Sequence, residues 1–103
     1  MNKVENYEHR IEMIKKDIIE HTADGNEVEQ LIQLQLILSC DLRFIYGDYL
    51  NNYMDVEYYS ALKGAIENLI IRISWNLYNR AYDVDWLNEF DHLIDLLSNM
   101  HSE

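Results

Sequence analysis

Hydrophobic residues recur every three or four positions along most of the chain, which is the spacing that lines one face of an α-helix. Four such stretches predict helices at about residues 3–21, 26–51, 55–81 and 84–100. The breaks between them are short, and short connections join helices that lie antiparallel to each other. The pattern therefore predicts an all-α, antiparallel four-helix bundle that forms one domain over residues 1–103.

The first and fourth helices are predicted to be amphipathic. The apolar stripe of the first helix is Val4, Tyr7, Ile11, Ile14 and Ile18. The stripe of the fourth helix is Trp86 or Leu87, Phe90, Leu93 or Ile94, Leu97 and Met100. Charged residues occupy the other faces, so each helix is expected to bury one side against the core.

The second and third helices are more apolar. The stripe of the second helix is Leu31, Leu34, Leu38, Leu42 and Ile45, and that of the third is Leu62, Ile66, Leu69, Ile73 and Leu77. Ile32, Leu36 and Ile37 widen the second stripe almost to a full circle, which predicts a central helix or a dimer interface. The same segment alternates like a strand, but a run of this length favours a helix. Gly64 is expected to permit close helix–helix approach.

Capping residues stand before three of the helices. Asp24 or Asn26, Asp55 and Asp83 are the predicted N-caps, because short polar side chains accept hydrogen bonds from the first backbone N–H groups. The chain has no proline and three glycines, which favours long helices. The single cysteine, Cys40, lies among leucines and is expected to be a small buried hydrophobe.

The residues suggest a cytoplasmic protein. A lone cysteine allows no disulfide within the chain, which fits a reducing compartment. The first residues carry acids throughout and lack the apolar core of a signal peptide. The longest apolar run is too short and too polar to span a membrane.

Negative charge dominates the chain and is unevenly distributed. The formal net charge is −11, from 19 acidic and 8 basic residues. Residues 44–60 and 81–103 contain acids and no lysine or arginine. Phosphates must be met by basic side chains, so direct binding of nucleic acid or of an anionic membrane is disfavoured. A basic protein partner is favoured instead.

No motif predicts catalysis, a metal or a cofactor. Glycine-rich phosphate loops and cysteine pairs are absent, and the histidines do not pair at helical spacing. Glu89 and His92 form one Glu-x-x-His motif, whereas di-metal bundles use two. The expectation is a protein that is not an enzyme. An enzyme or metal protein that uses Glu89, His92 and Asp95 is the alternative.

Tyrosines and acids together mark two candidate partner-binding segments. The first contains Asp48, Tyr49, Tyr53, Asp55, Glu57 and Tyr58. The second contains Tyr82, Asp83, Asp85, Glu89 and Asp91. Tyrosine offers a large contact at low entropic cost, and neighbouring acids steer a basic partner. Tyr58 and Tyr59 could face either the core or the surface, since both lie near the projected buried stripe of the third helix.

The segment DVEYYS at residues 55–60 is similar in composition to the acids and tyrosine pair of colicin-type immunity proteins. Phage anti-defence proteins such as anti-CRISPR proteins are likewise short and acidic, with carboxylates that stand in for phosphates. These resemblances imply an inhibitor that covers a basic, nucleic-acid-binding surface of a partner protein. The alternative is a homodimeric helical structural or adaptor protein.

Overall fold

The computed structural model of the chain describes the backbone of residues 3–22 and 27–101 and the side chains of residues 8–22 and 27–96. These residues form α1 (Lys3–Thr22), α2 (Val28–Leu50), α3 (Val56–Asn79) and α4 (Trp86–His101), with no strand among them. The predicted all-α, four-helix fold is confirmed, and each helix begins and ends within two residues of its predicted bounds. None of the described helices has the length and apolar character required to cross a membrane.

The four helices pack in a ring in which α2 contacts α1 and α3, and α4 contacts α3 and α1. Along α2 and α3, Gln35 meets Ile70 and Tyr49 meets Tyr59. Residue numbers therefore rise along one helix as they fall along the other, which is the order that antiparallel neighbours show.

The core is built from one face of each helix. It contains the buried residues Ile11, Ile14, Ile18, Leu31, Leu34, Leu38, Ile45, Met54, Leu62, Ala65, Ile66, Leu69, Ile73, Trp86, Phe90 and Ile94. Burial of a large apolar side chain contributes about 1.5–3 kcal/mol, so these contacts hold the ring together. The predicted stripes supply most of this core, and Leu42, Leu77, Leu87 and Leu93 pack against it half-buried. Val4, Tyr7, Leu97 and Met100 lie outside the described side chains.

The second helix is buried on one face only. Ile32 and Leu36 are exposed, and so is Cys40 one turn further along. The expectation that α2 is central and that Cys40 is a buried hydrophobe is therefore wrong. In a ring of four helices each helix occupies a corner, so its outward face remains in solvent whatever its composition.

Local polar contacts set the helix ends. Asp55 occupies the N-cap position of α3, as predicted. The cap of α4 is Asp85, whose Oδ1 accepts the backbone N–H of Asn88 at 3.1 Å, so the prediction of Asp83 is wrong by two residues. At the end of α3, Arg80 adopts φ 55° while the N–H of Ala81 donates to the carbonyl of Asn76 at 2.9 Å. The N-cap position of α2 is Glu27, whose side chain makes no capping hydrogen bond, so the prediction of Asp24 or Asn26 is wrong by at least one residue.

Gly64 lies on the exposed side of α3, where no other helix approaches it. A Cβ atom added there would meet nothing within 4 Å. The expectation that this glycine permits close helix packing is therefore wrong. Its position leaves only the conformational cost that glycine brings to a helix interior.

Replacement of Gly64 by alanine should stabilise the protein. The added methyl group meets open space, and alanine restricts the unfolded chain more than glycine does. We expect Gly64→Ala to raise the free energy of unfolding by about 0.5–1 kcal/mol, measured by urea denaturation monitored by circular dichroism. A loss of stability would mean that a close contact forms at this position.

Candidate partner-binding site

Tyrosines from the end of α2 and the start of α3 cluster at one end of the bundle. The rings of Tyr49 and Tyr59 stack with centroids 4.8 Å apart and planes 6° from parallel. Tyr46 lies against Tyr59 at 6.1 Å with a tilt of 42°. We call Tyr46, Tyr49, Tyr53, Tyr58 and Tyr59 the tyrosine corner. Each ring pair contributes about 0.5–1.5 kcal/mol beyond its burial, so the rings join the two helices at this end.

The connection between α2 and α3 fixes the tyrosine corner. Asn52 adopts φ 62°, a left-handed conformation that asparagine tolerates better than most residues. The N–H of Tyr53 then donates to the carbonyl of Asp48 at 2.8 Å, which closes the turn. Met54 in the same loop is almost fully buried and anchors the connection to the core.

The rings differ in how much of each is accessible. Tyr58 and Tyr59 are half-buried and pack against the core, so each has both a structural contact and an accessible part. Tyr49 is also half-buried. Tyr46 and Tyr53 are exposed, with about half of each residue accessible. Tyr58 and Tyr59, for which the sequence allowed either the core or the surface, thus contact both. The most accessible rings of the tyrosine corner are Tyr46 and Tyr53.

Two of the three predicted acids of this segment, Asp55 and Glu57, are exposed beside the tyrosine corner. The third, Asp48, is buried. Its carboxylate accepts two hydrogen bonds from Arg10 of α1, with Nε to Oδ2 at 2.7 Å and the second guanidinium nitrogen to Oδ1 at 3.2 Å. The prediction that Asp48 belongs to an exposed binding surface is therefore wrong, because α1 supplies a base that the local sequence lacks.

The guanidinium of Arg10 also lies over the ring of Phe44, with 5.3 Å from its central carbon to the ring centroid. The ion pair and this cation–π contact together join α1 to the last turns of α2. The side chains of Arg10 and Asp48 are only 21% and 10% exposed, so solvent screens the pair weakly. Because Asp48 directly precedes Tyr49, this contact holds α2 in place next to the tyrosine corner.

Loss of one partner in this pair should be costly. Arg10→Met leaves the Asp48 carboxylate buried without its charged partner, and we expect a loss of about 2–4 kcal/mol in the free energy of unfolding. The double variant Arg10→Met with Asp48→Met removes both charges and should recover most of that loss. Both are measured by urea denaturation. Equal stability of the single and double variants would contradict a coupled pair.

The second predicted segment lies at the other end of α3 from the tyrosine corner. Tyr82 is half-buried and packs against the core, whereas Asp83 and Asp85 are exposed. With 24 residues and about 1.5 Å of rise per residue, α3 separates the two segments by roughly 35 Å. The acids of the two segments therefore belong to different surfaces.

Bases from other helices neutralise two acids of the second segment. Arg72 of α3 forms an ion pair with Glu89, whose side chain is largely buried. Lys15 of α1 lies 3.0 Å from Asp91. The segment itself contains no lysine or arginine, but the fold brings a base from another helix to each of these two acids. Glu89 and Asp91 are thus paired with bases of neighbouring helices, and Asp83 and Asp85 are the exposed acids of this segment.

An open cleft of about 550 Å³ lies beside this segment. It is lined by Arg72, Asp85, Asn88, Glu89, Asp91, His92, Leu93 and Asp95. The Glu-x-x-His pair reaches this cleft, with Glu89 held by Arg72. Among the residues that the structure describes, no group of three or more histidine, cysteine or acidic side chains is placed to hold a metal ion.

Sequence analysis missed a pair of carboxyl groups between α1 and α2. Asp41 is 6% exposed and its side chain forms a hydrogen bond with Asp17. The spacing of residues along α2 could have predicted the burial of Asp41. Leu31, Leu34, Leu38, Asp41, Ile45 and Asp48 repeat at alternate intervals of three and four residues, and all six are buried. An aspartate in such a repeat is a candidate for burial.

Burial, together with the nearby charge and hydrogen bond of Asp17, raises the pKa of Asp41 to about 7, although the charge of Arg10 opposes the shift. Burial also raises the pKa of Asp17, although the hydrogen bond from Asp41 opposes that shift. Among the described residues Asp41 Oδ2 is buried and has no hydrogen-bond partner. Because burial and the neighbouring carboxyl both disfavour a second negative charge, we expect the pair to hold a proton in the folded state.

This pair should make stability depend on pH. The folded protein keeps the proton up to about pH 7, whereas the unfolded chain releases it near the ordinary value of 3.8. Stability from the pair is complete below that ordinary value and is lost as the pH rises through the folded pKa. Between about pH 4 and about pH 7 we expect wild-type stability to fall relative to Asp41→Asn, which cannot ionise.

Thermal unfolding of both proteins across this range tests the prediction. Asp95→Asn is the matched control, since it removes an exposed acid of α4 and should leave the wild-type slope unchanged. The same slope in wild type and Asp41→Asn would show that the carboxyl pair does not hold the proton.

Among the residues that the structure describes, the site thus consists of two exposed acidic groups, and the tyrosine corner combines several accessible rings with accessible acids. Its acids are Asp55 and Glu57, and its accessible rings are Tyr46 and Tyr53. Tyr46 lies one turn before Tyr49 and was not among the predicted partner-binding residues. Its exposure in the structure adds it to the site. The chain matches no protein-family model, no curated protein and no solved structure.

Proposed function

We propose that the protein is an acidic binding module that inhibits a basic partner protein by covering its positive surface. The tyrosine corner, with Asp55 and Glu57, is the contact region. The single observation that carries the proposal is the presence of core-supported tyrosine rings beside exposed acids, in a segment with no base from residue 44 to residue 62.

The support for contact energy comes from the rings. Tyr58 and Tyr59 are held by the core, and Tyr49 is held by its stack on Tyr59. A partner therefore meets aromatic surface that is already ordered and loses little side-chain entropy on binding. Tyr46 and Tyr53 add accessible rings whose hydroxyl groups can form hydrogen bonds at the rim.

The support for a basic partner comes from charge. The net charge of −11 attracts cationic surfaces over long range. Asp55 and Glu57 place two carboxylates next to the rings, where they can pair with lysine or arginine. Asp83 and Asp85 lie at the far end, so they add to the long-range field and make no contact with a partner held at the tyrosine corner.

The chemistry of such a partner is that of a nucleic-acid enzyme or toxin. Proteins of this class carry basic clefts that bind phosphates, and carboxylates can occupy the same cleft in place of phosphates. A protein that covers the cleft blocks its substrate. The proposed mode of action is that of immunity proteins, antitoxins or phage anti-defence proteins such as anti-CRISPR proteins.

Removal of the two corner charges should weaken capture of basic proteins. Asp55→Asn with Glu57→Gln deletes both charges, and asparagine preserves the N-cap of α3. The immobilised chain is exposed to a bacterial lysate at low salt, and the isoelectric points of the retained proteins are determined. We expect a basic protein to be retained by the wild type and to associate about tenfold more slowly with the variant.

The matched control is Asp83→Asn with Asp85→Asn, which deletes two exposed acids at the far end of α3, keeps a capping residue before α4 and leaves the tyrosine corner intact. It should retain the basic protein as the wild type does. Equal weakening by both double variants would mean that only net charge matters. Retention of acidic proteins alone would refute the proposed function.

A further inference from the structure

A second surface of the protein has a different composition from the acidic ends. The outward sides of α2 and α3 expose a set of large apolar residues, which we call the neutral face. It consists of Val28, Ile32, Leu36, Ile71, Trp75 and Tyr78. Trp75 is 63% exposed and Tyr78 is 88% exposed. Such side chains are common singly on protein surfaces, but a contiguous group of them marks an interaction site.

The six residues lie in two exposed stripes on neighbouring helices. Val28, Ile32 and Leu36 follow one another at intervals of one helical turn along α2. Ile71, Trp75 and Tyr78 do the same along α3. The two stripes flank the seam where Gln35 Nε2 donates to the carbonyl of Ile70 at 3.1 Å and also bonds to the hydroxyl of Ser74. This seam holds the stripes side by side.

The neutral face is almost free of charge. Residues 30–40 and 73–79 contain no lysine, arginine, aspartate or glutamate. Arg72 points toward α4, where it pairs with Glu89. Exposed charges border both ends of the face, with Glu27, Glu29 and Arg80 at one end and Arg43 and the Lys63–Glu67 pair, at 3.7 Å, at the other. Although the protein has a net charge of −11, the middle of this face therefore contains no acidic side chain.

We infer that a second copy of this chain packs on the neutral face and forms a symmetric homodimer. Two molecules of charge −11 repel each other, and the neutral face is where they can approach with the fewest acids between them. A basic partner would find no carboxylate there to pair with. Self-contact through the same patch on both copies is what a two-fold dimer requires.

The exposed area of the neutral face is close to the area that a homodimer interface requires. The six side chains expose on the order of 700 Å² together, if a full aromatic ring contributes about 150–250 Å² and an aliphatic chain less. A standard interface buries about 800 Å² on each partner. Tryptophan and tyrosine are the residue types that carry most interface energy, and Trp75 and Tyr78 supply both.

Sedimentation velocity of the full chain tests the inference. At micromolar to hundred-micromolar concentrations, the wild type should approach twice the mass of 12.4 kDa for one chain. Trp75→Glu and Leu36→Glu place a charge in the interface from α3 and α2 separately, and each should raise the dimer Kd by at least ~30-fold. Ile19→Glu is the control, because Ile19 is half exposed on α1, away from the neutral face.

Salt separates this inference from the proposed function. From ~0.1 M to ~1 M NaCl the Debye length falls from about 10 Å to about 3 Å. Repulsion between the copies is then screened, so dimerisation should strengthen, whereas capture of a basic protein at the tyrosine corner should weaken. Trp75→Glu should leave that capture unchanged, and Asp55→Asn with Glu57→Gln should leave the dimer unchanged.

Three results would overturn the inference. The first is a wild type that remains a monomer across these concentrations at both salt levels. The second is a dimer that survives Trp75→Glu and Leu36→Glu while circular dichroism shows both variants folded. The third is a control, Ile19→Glu, that weakens the dimer as much as they do.

Discussion

The position of α2 against its two neighbours is the constraint on which the other features depend. Its buried repeat of residues at intervals of three and four faces the core, and polar contacts fix its register on each side. Arg10 and Asp17 of α1, seven residues apart, meet Asp48 and Asp41 of α2, also seven residues apart. On the other side, Gln35 in the middle of α2 fixes the position of α3. The stacked tyrosine rings fix the last turn of α2 against the first turn of α3.

This arrangement divides the acids of the chain into two kinds. Asp41 and Asp48 lie inside the α1–α2 interface, where the first has a pKa raised to about 7 and the second pairs with the guanidinium of Arg10. Buried ionisable pairs add less net stability than their geometry suggests, since desolvation offsets much of the attraction. They do fix which residues face each other. Other acids, such as Asp55 and Glu57, lie exposed at the surface, as do the neutral outer sides of α2 and α3.

The fold was predictable because helical periodicity and short breaks leave few alternatives. The first positions of the helices were predicted less well, and Asp83 was mistaken for the cap in place of Asp85 because either aspartate could precede α4. Burial was predicted for one face of each helix but failed for Ile32, Leu36 and Cys40. Apolar composition favours burial, yet a helix in a four-membered ring has only one side on which to be buried.

Sequence alone determined the helices, their core-facing stripes and the excess of negative charge, because these follow from local spacing and composition. Only the tertiary structure decided which acids remain at the surface. Charge was counted along the chain, where the segments around Asp48 and Glu89 contain no base. In the fold, Arg10 and Arg72 reach these acids from other helices. Electrostatic pairing depends on distance in space, and distant parts of the chain become neighbours only when the helices pack.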